Sequence, residues 1–141
     1  MKTLSAIAAA VLMTISLSSF AAEKAPANRT SLDFSARKFV DAVTQGDTEN
    51  LEEILDNSLV SRFARGTEIK SYGKRDVLKA LKDAGKVEQN CSTDYEVLET
   101  GAAQSIVLLS MKYDTFTKMT RLTLNDTPEG WKISRIASWY K

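Results

Sequence analysis

The chain has 141 residues, 43% of them hydrophobic, and its 19 basic residues nearly balance 18 acidic ones for a net charge of +1. That length suits one domain with its own core, and the charge balance argues against a nucleic-acid binder, which carries a basic excess. With no histidine and a single cysteine, the composition excludes imidazole-dependent catalysis, histidine- or thiolate-based zinc centres and any intrachain disulfide.

The N-terminus reads as an export signal. Lys2 supplies a positive start, residues 4–17 (LSAIAAAVLMTISL) carry no charge, and Ser19 and Ala21 place small residues at a cleavage site. The apolar run is too short to span a bilayer comfortably, and no second one follows, so no membrane span is expected. Residues 1–21 are therefore read as a signal peptide, residues 22–30 as a flexible leader containing Pro26, and residues 31–141 as the folded domain of a periplasmic or secreted protein. Cys91 lies in a strand-like run and reads as a buried, inert thiol.

The domain opens with helical periodicity. Leu32, Ala36, Phe39, Val40 and Val43 form one stripe over residues 32–44, with Asp33, Arg37 and Asp41 opposite. Thr30 and Asp33 resemble a capping box, and Gly46 suits a C-terminal cap. A shorter helix is expected after Asp47 as N-cap, burying Leu51, Ile54 and Leu55. Two short extended pieces flank Gly66-Thr67, and a third helix is expected over residues 74–84 with Val77, Leu78 and Leu81 inward. From Gln89 the pattern changes to period two, giving strands near residues 92–99, 103–116, 117–124 and 131–140. This order predicts an α+β domain with helices packed on one face of an antiparallel sheet.

No glycine-rich phosphate loop and no calcium loop occurs, so neither cofactor nor metal is expected. Acid–base chemistry would fall to carboxylates, lysine or tyrosine. Alternation places Glu99 on the inward side with Thr93, Tyr95 and Val97, and Asp114 opposite Tyr113. Neither is identifiable as a buried base, but they are the candidates for an enzymatic reading. In the last strand, Arg135 shares a face with Trp131, Ile133, Ala137 and Trp139. A buried, unpaired guanidinium would cost several kcal/mol, so Arg135 there requires a partner. Either it is ion-paired or placed at a rim, or it anchors a ligand in a pocket walled by Phe39, Tyr95, Tyr113 and Trp139. A single β-bulge would reverse any of these face assignments. Arg75, Lys79, Lys82 and Lys86 line one side of the third helix, either as a solvated face or as a docking face for an anionic partner.

Three segments carry a family resemblance: SARKFVDAVTQGDTENLEEIL at 35–55, YGKRDVLKALKDAG at 72–85 and EGWKISRI at 129–136. Their order resembles the nuclear-transport-factor-2-like superfamily, in its SnoaL-like or putative lumazine-binding branch. The resemblance implies a cone: a strongly curved antiparallel sheet wrapped around three N-terminal helices, with a pocket between them. It implies a small hydrophobic or anionic ligand in the cone and a homodimer formed through the sheet. It also admits a carboxylate- or tyrosine-dependent isomerase, dehydratase or cyclase, or a protein–protein interaction module. Without an identifiable catalytic base, an exported ligand-binding or accessory domain is the leading expectation.

Overall fold

The computed structural model describes residues 30–141; the expected signal peptide and residues 22–29 of the leader lie outside the described residues. The elements run α1 (Leu32–Gln45), α2 (Leu51–Ile54), β1 (Leu55–Arg65), β2 (Glu68–Gly73), α3 (Lys74–Ala84), β3 (Ser92–Thr100), β4 (Gln104–Lys112), β5 (Thr117–Thr127) and β6 (Gly130–Tyr140). They make an α+β cone with one six-stranded sheet in the order β2-β1-β6-β5-β4-β3, open at β2 and β3. The sheet is mixed rather than antiparallel throughout. β1 runs parallel to β6, while all other neighbours are antiparallel. The helices also do not all precede the strands, because α3 follows the β1–β2 hairpin.

α1 begins one residue later than the Thr30 cap predicted. Ser31 is the N-cap, its Oγ accepting from the Phe34 N–H at 3.0 Å. Thr30 instead joins β6: Trp131 N–H donates to its carbonyl at 3.0 Å, and its own Oγ1 donates to the Trp131 carbonyl at 3.2 Å. Ser35, fully buried, donates to that same carbonyl at 2.6 Å, so the first turn of α1 is pinned to the start of β6. α1 ends at Gly46, whose φ of 71° places it in the left-handed region. α2 is a single turn capped by Asn50 rather than Asp47. Leu51 and Ile54 drive into the core, and Leu55, equally buried, already belongs to β1.

The core lies between the helices and the concave face of the sheet. Ala36, Phe39 and Ala42 of α1 meet Val107, Leu109, Met111, Leu122, Leu124, Ile133 and Ile136 from the central strands. α3 is different. Val77, Leu78 and Leu81 reach the core only in part, and no residue of α3 is buried. The helix therefore packs over β1 and β2 without closing on the central strands.

Two bulges reverse the strand faces expected from simple alternation. In β6, Ile133 pairs with Leu124 but Arg135 pairs with Thr123, leaving Ser134 as an extra residue. Its hydroxyl donates to the Thr123 carbonyl at 3.2 Å, which fastens the bulge to the neighbouring strand. Beyond it the inward set becomes Ile136, Ser138 and Tyr140, and Arg135, Ala137 and Trp139 move to the convex face. Arg135 is exposed, so its charge needs no buried partner. In β3, Val97 pairs with Val107 but Glu99 pairs with Ile106, leaving Leu98 as the extra residue. Glu99 accordingly shares the convex face with Ile106.

Candidate functional site

Because α3 leaves the central strands uncovered, a cavity of about 600 Å³ remains beneath it. Phe39 and Val43 of α1 form one wall, Val77, Ala80 and Leu81 of α3 another, and Phe63 of β1 with Tyr72 of β2 a third. Met111, Lys118, Thr120, Ile136 and Ser138 form the sheet floor. The volume falls within the range of small-molecule sites, and a mostly apolar lining with a few convergent polar groups is the usual composition of such sites.

The polar groups on the floor come from alternation along β5 and β6. Lys118, Thr120, Leu122 and Leu124 keep one parity along β5, and the last three are buried. Lys118 stands opposite Met111 on one side and Tyr140 on the other. Thr120 stands opposite Ser138, their hydroxyls hydrogen-bonded at 2.9 Å. Lys118 belongs to none of the ion pairs among the described residues. Burial draws its ammonium below the usual lysine range, with no carboxylate acting against that effect. The Phe63 ring centroid lies 6.0 Å from Nζ, at the outer limit of a cation–π contact.

A chain of aromatic rings extends the site at the Lys118 end. Phe63 meets Tyr140 edge-on at 5.4 Å, Tyr140 meets Phe116 edge-on at 5.4 Å, and Phe116 stacks on Tyr113 at 4.5 Å. The Tyr113 hydroxyl donates to Gln89 Oε1 at 3.1 Å. Burial, followed by proximity to Cys91, raises the phenol above its ordinary pKa. Cys91 itself is half-buried and unpaired.

Two carboxylates line the cavity, both from α3. Asp76 accepts the Gly73 N–H at 3.1 Å at the start of the helix, and Asp83 is paired with Lys79 at 3.1 Å. Both are exposed and committed to the helix that carries them.

Of the residues singled out in the sequence, Phe39 lines the cavity. Tyr113 lies in the adjoining aromatic chain. Tyr95 faces inward opposite Leu109, but its hydroxyl is taken by Asp33 at 2.7 Å, and Asp33 also pairs with Arg37 at 2.9 Å. That tyrosine hydrogen bond, with Arg37 behind it, holds the Asp33 carboxyl below its usual pKa. Trp139 lies on the convex face, 6.0 Å from the Arg121 guanidinium, and Arg135 lines a convex-face groove with Arg121 and Ile106. Glu99 is on that face too, and Asp114 is exposed in the β4–β5 turn. Lys118, Thr120, Ser138 and Phe63 were not anticipated, although the unbroken parity of β5 marks the first two as inward. The described residues hold no cluster suited to a metal ion.

No protein-family model matches the chain, and no curated protein matches it. Solved structures do. A nuclear-transport-factor-2-like protein of unknown function from Silicibacter pomeroyi superposes with a TM-score of 0.65 at 16% identity, over 78% of this chain and 92% of that one. A similar protein from Rhodospirillum rubrum, described as of unknown function in nutrient uptake, gives 0.60 at 20% identity over 78% and 98%. A ketosteroid isomerase-like protein from Erwinia carotovora atroseptica gives 0.57 at 14% identity over 77% and 92%. At such identities the likeness speaks to backbone architecture alone, and on that ground this chain has the nuclear-transport-factor-2-like fold.

Proposed function

We propose that this protein is an exported ligand-binding domain that holds one small, largely apolar molecule in the cone, without acting on it chemically. The observation that carries this reading is the open cavity of about 600 Å³ between α1, α3 and the concave sheet, walled by apolar side chains. The two carboxylates at its wall serve α3, so neither is positioned as a buried base. The run at residues 1–21 supports export, which would place the domain in the periplasm or outside the cell.

The test uses N-phenylnaphthylamine, a neutral apolar fluorophore. Saturable binding of one probe per chain is expected. It should be lost in Ala80→Trp, which projects an indole into the cavity, and kept in Arg135→Ala, which alters only the convex face. Binding that ignores Ala80→Trp, or that disappears with Arg135→Ala in a folded protein, overturns the assignment to the cone.

The convex face supports a second part of the reading, a homodimer formed sheet to sheet. Ile106, Leu108, Met119, Ala137 and Trp139 are only half-buried there. Arg121 and Arg135 near the middle of the sheet lie on the same face as Asp94, Glu96 and Glu99 on edge strand β3. A twofold axis over the sheet can bring the basic part of one copy against the acidic edge of the other. Sedimentation velocity at low and high salt tests this, and a monomer under both conditions refutes it.

A further inference from the structure

We propose that Lys118 makes the cone selective for an apolar molecule carrying one terminal anionic group of the carboxylate or sulfonate kind. This rests on the ligand-binding reading above and names the ligand class for the same cavity.

The argument begins with donor and acceptor counts. Lys118 brings three N–H donors and no acceptor. It is half-buried, and no carboxylate among the described residues pairs with it. Two residues along the floor, the Thr120 and Ser138 hydroxyls are bonded to each other at 2.9 Å. That bond consumes one of their two protons and leaves the other free to donate. The polar end of the cavity is thus rich in donors and carries a positive charge. A group that only accepts hydrogen bonds and bears negative charge satisfies it, whereas an amine, amide or alcohol satisfies it only in part.

The rest of the cavity limits that charge to one. Phe39, Val43, Val77 and Ile136 offer nothing polar to a second charged end. On the α3 side, Lys79 is paired with Asp83 and Asp76 accepts the Gly73 N–H, so no unpaired cation among these lining groups is left for a second anion. A dianion would therefore leave one charge without a partner against the apolar wall, while a monoanion is satisfied at Lys118. The unpaired ammonium is costly in the empty domain, and a ligand anion would relieve that cost on binding.

The experiment compares anilinonaphthalene sulfonate with N-phenylnaphthylamine, which has the same ring system without the sulfonate. Wild-type protein is expected to bind the sulfonate about tenfold or more tightly than the neutral probe. Lys118→Met should abolish that preference, read as the ratio of the two affinities, and Lys118→Arg should retain it. Raising salt on wild-type protein should weaken the sulfonate selectively, a readout independent of any variant's folding. Equal affinities in wild type, or a preference that survives in a folded Lys118→Met protein, overturn the anion selectivity while leaving the cavity as a binding site. If neither probe binds wild-type protein, the ligand-binding reading fails and takes this proposal with it.

Discussion

Replacing Lys118 with methionine should stabilise the domain, although the lysine lines the cavity beneath α3. Lys118 stands opposite Met111 in the ladder with the Phe63 ring near its Nζ, surroundings that suit a methionine of similar length. What disappears is an ammonium that burial penalises and no carboxylate compensates. A polar group held out of water without a partner costs about 1–3 kcal/mol in proteins. Because Lys118 keeps some exposure, the low end applies: about 1 kcal/mol, or about 4 °C in Tm for a domain of this size. The pH dependence makes the test specific. The folded-state pKa of Lys118 lies below its ordinary 10.5, so the unfolded chain holds that proton more tightly. Wild-type stability should then rise with pH between the lowered pKa and 10.5, as the penalised charge is removed. The advantage of Lys118→Met should be full at neutral pH and shrink across that window. The nearby Tyr113, Tyr140, Asp76, Asp83 and Lys79 are present in both proteins, so their contributions largely cancel in the difference. Urea unfolding followed by tryptophan fluorescence from pH 7 to about pH 10 would measure it. A Lys118→Met protein less stable than wild type at neutral pH, with a deficit independent of pH, would show that the ammonium has a partner and would refute the reasoning.

Gly130→Ala should cost about 2 kcal/mol or more, seen as a lowered Tm. Gly130 has a φ of 124°, and an added Cβ would stand 2.3 Å from Thr30 Oγ1 and 2.4 Å from its backbone nitrogen, breaking the join between the start of α1 and β6. Tyr95→Phe removes the largest influence on Asp33, so that carboxyl's NMR titration should move up toward the ordinary 3.8. The sign for stability is that of a lowered acid: the Asp33 contribution is present above its unfolded pKa and lost as pH falls through the folded one. Tyr95→Phe should therefore flatten the acid limb of the stability profile, and an unchanged Asp33 titration would count against the hydrogen bond.

Local periodicity made most of the elements legible. The spacing of Val77, Leu78 and Leu81 places α3 at the residues where it forms, and the α1 stripe and the last four strands follow their own repeats. The parallel pairing of β1 with β6 was not legible, because it joins segments far apart in sequence and depends on how the whole sheet assembles. The site was less legible for a specific reason. Alternation along β6 puts Arg135 between two tryptophans on one face, and that is sound until Ser134. A bulge belongs to the register between two strands, so the repeat of either strand alone cannot disclose it. The same holds for Leu98 and the displacement of Glu99. Lys118 is the opposite case. β5 keeps an unbroken parity, and reading Lys118, Thr120, Leu122 and Leu124 as one face places a lysine in the cone from sequence alone.

The bulge at Ser134 makes the chemistry of the cone floor depend on a residue count. Drawing Ser134 into the ladder, so that no residue is left over between Ile133 and Ile136, would exchange Ile136, Ser138 and Tyr140 for Arg135, Ala137 and Trp139 as the inward set. The backbone path would hardly alter, yet an indole would replace the phenol opposite Lys118, a methyl the Ser138 hydroxyl, and a guanidinium would enter opposite Leu122. A gap placed one position off in any alignment through this strand makes the same exchange on paper. Structures with this architecture are therefore best compared by strand partner rather than by aligned letter.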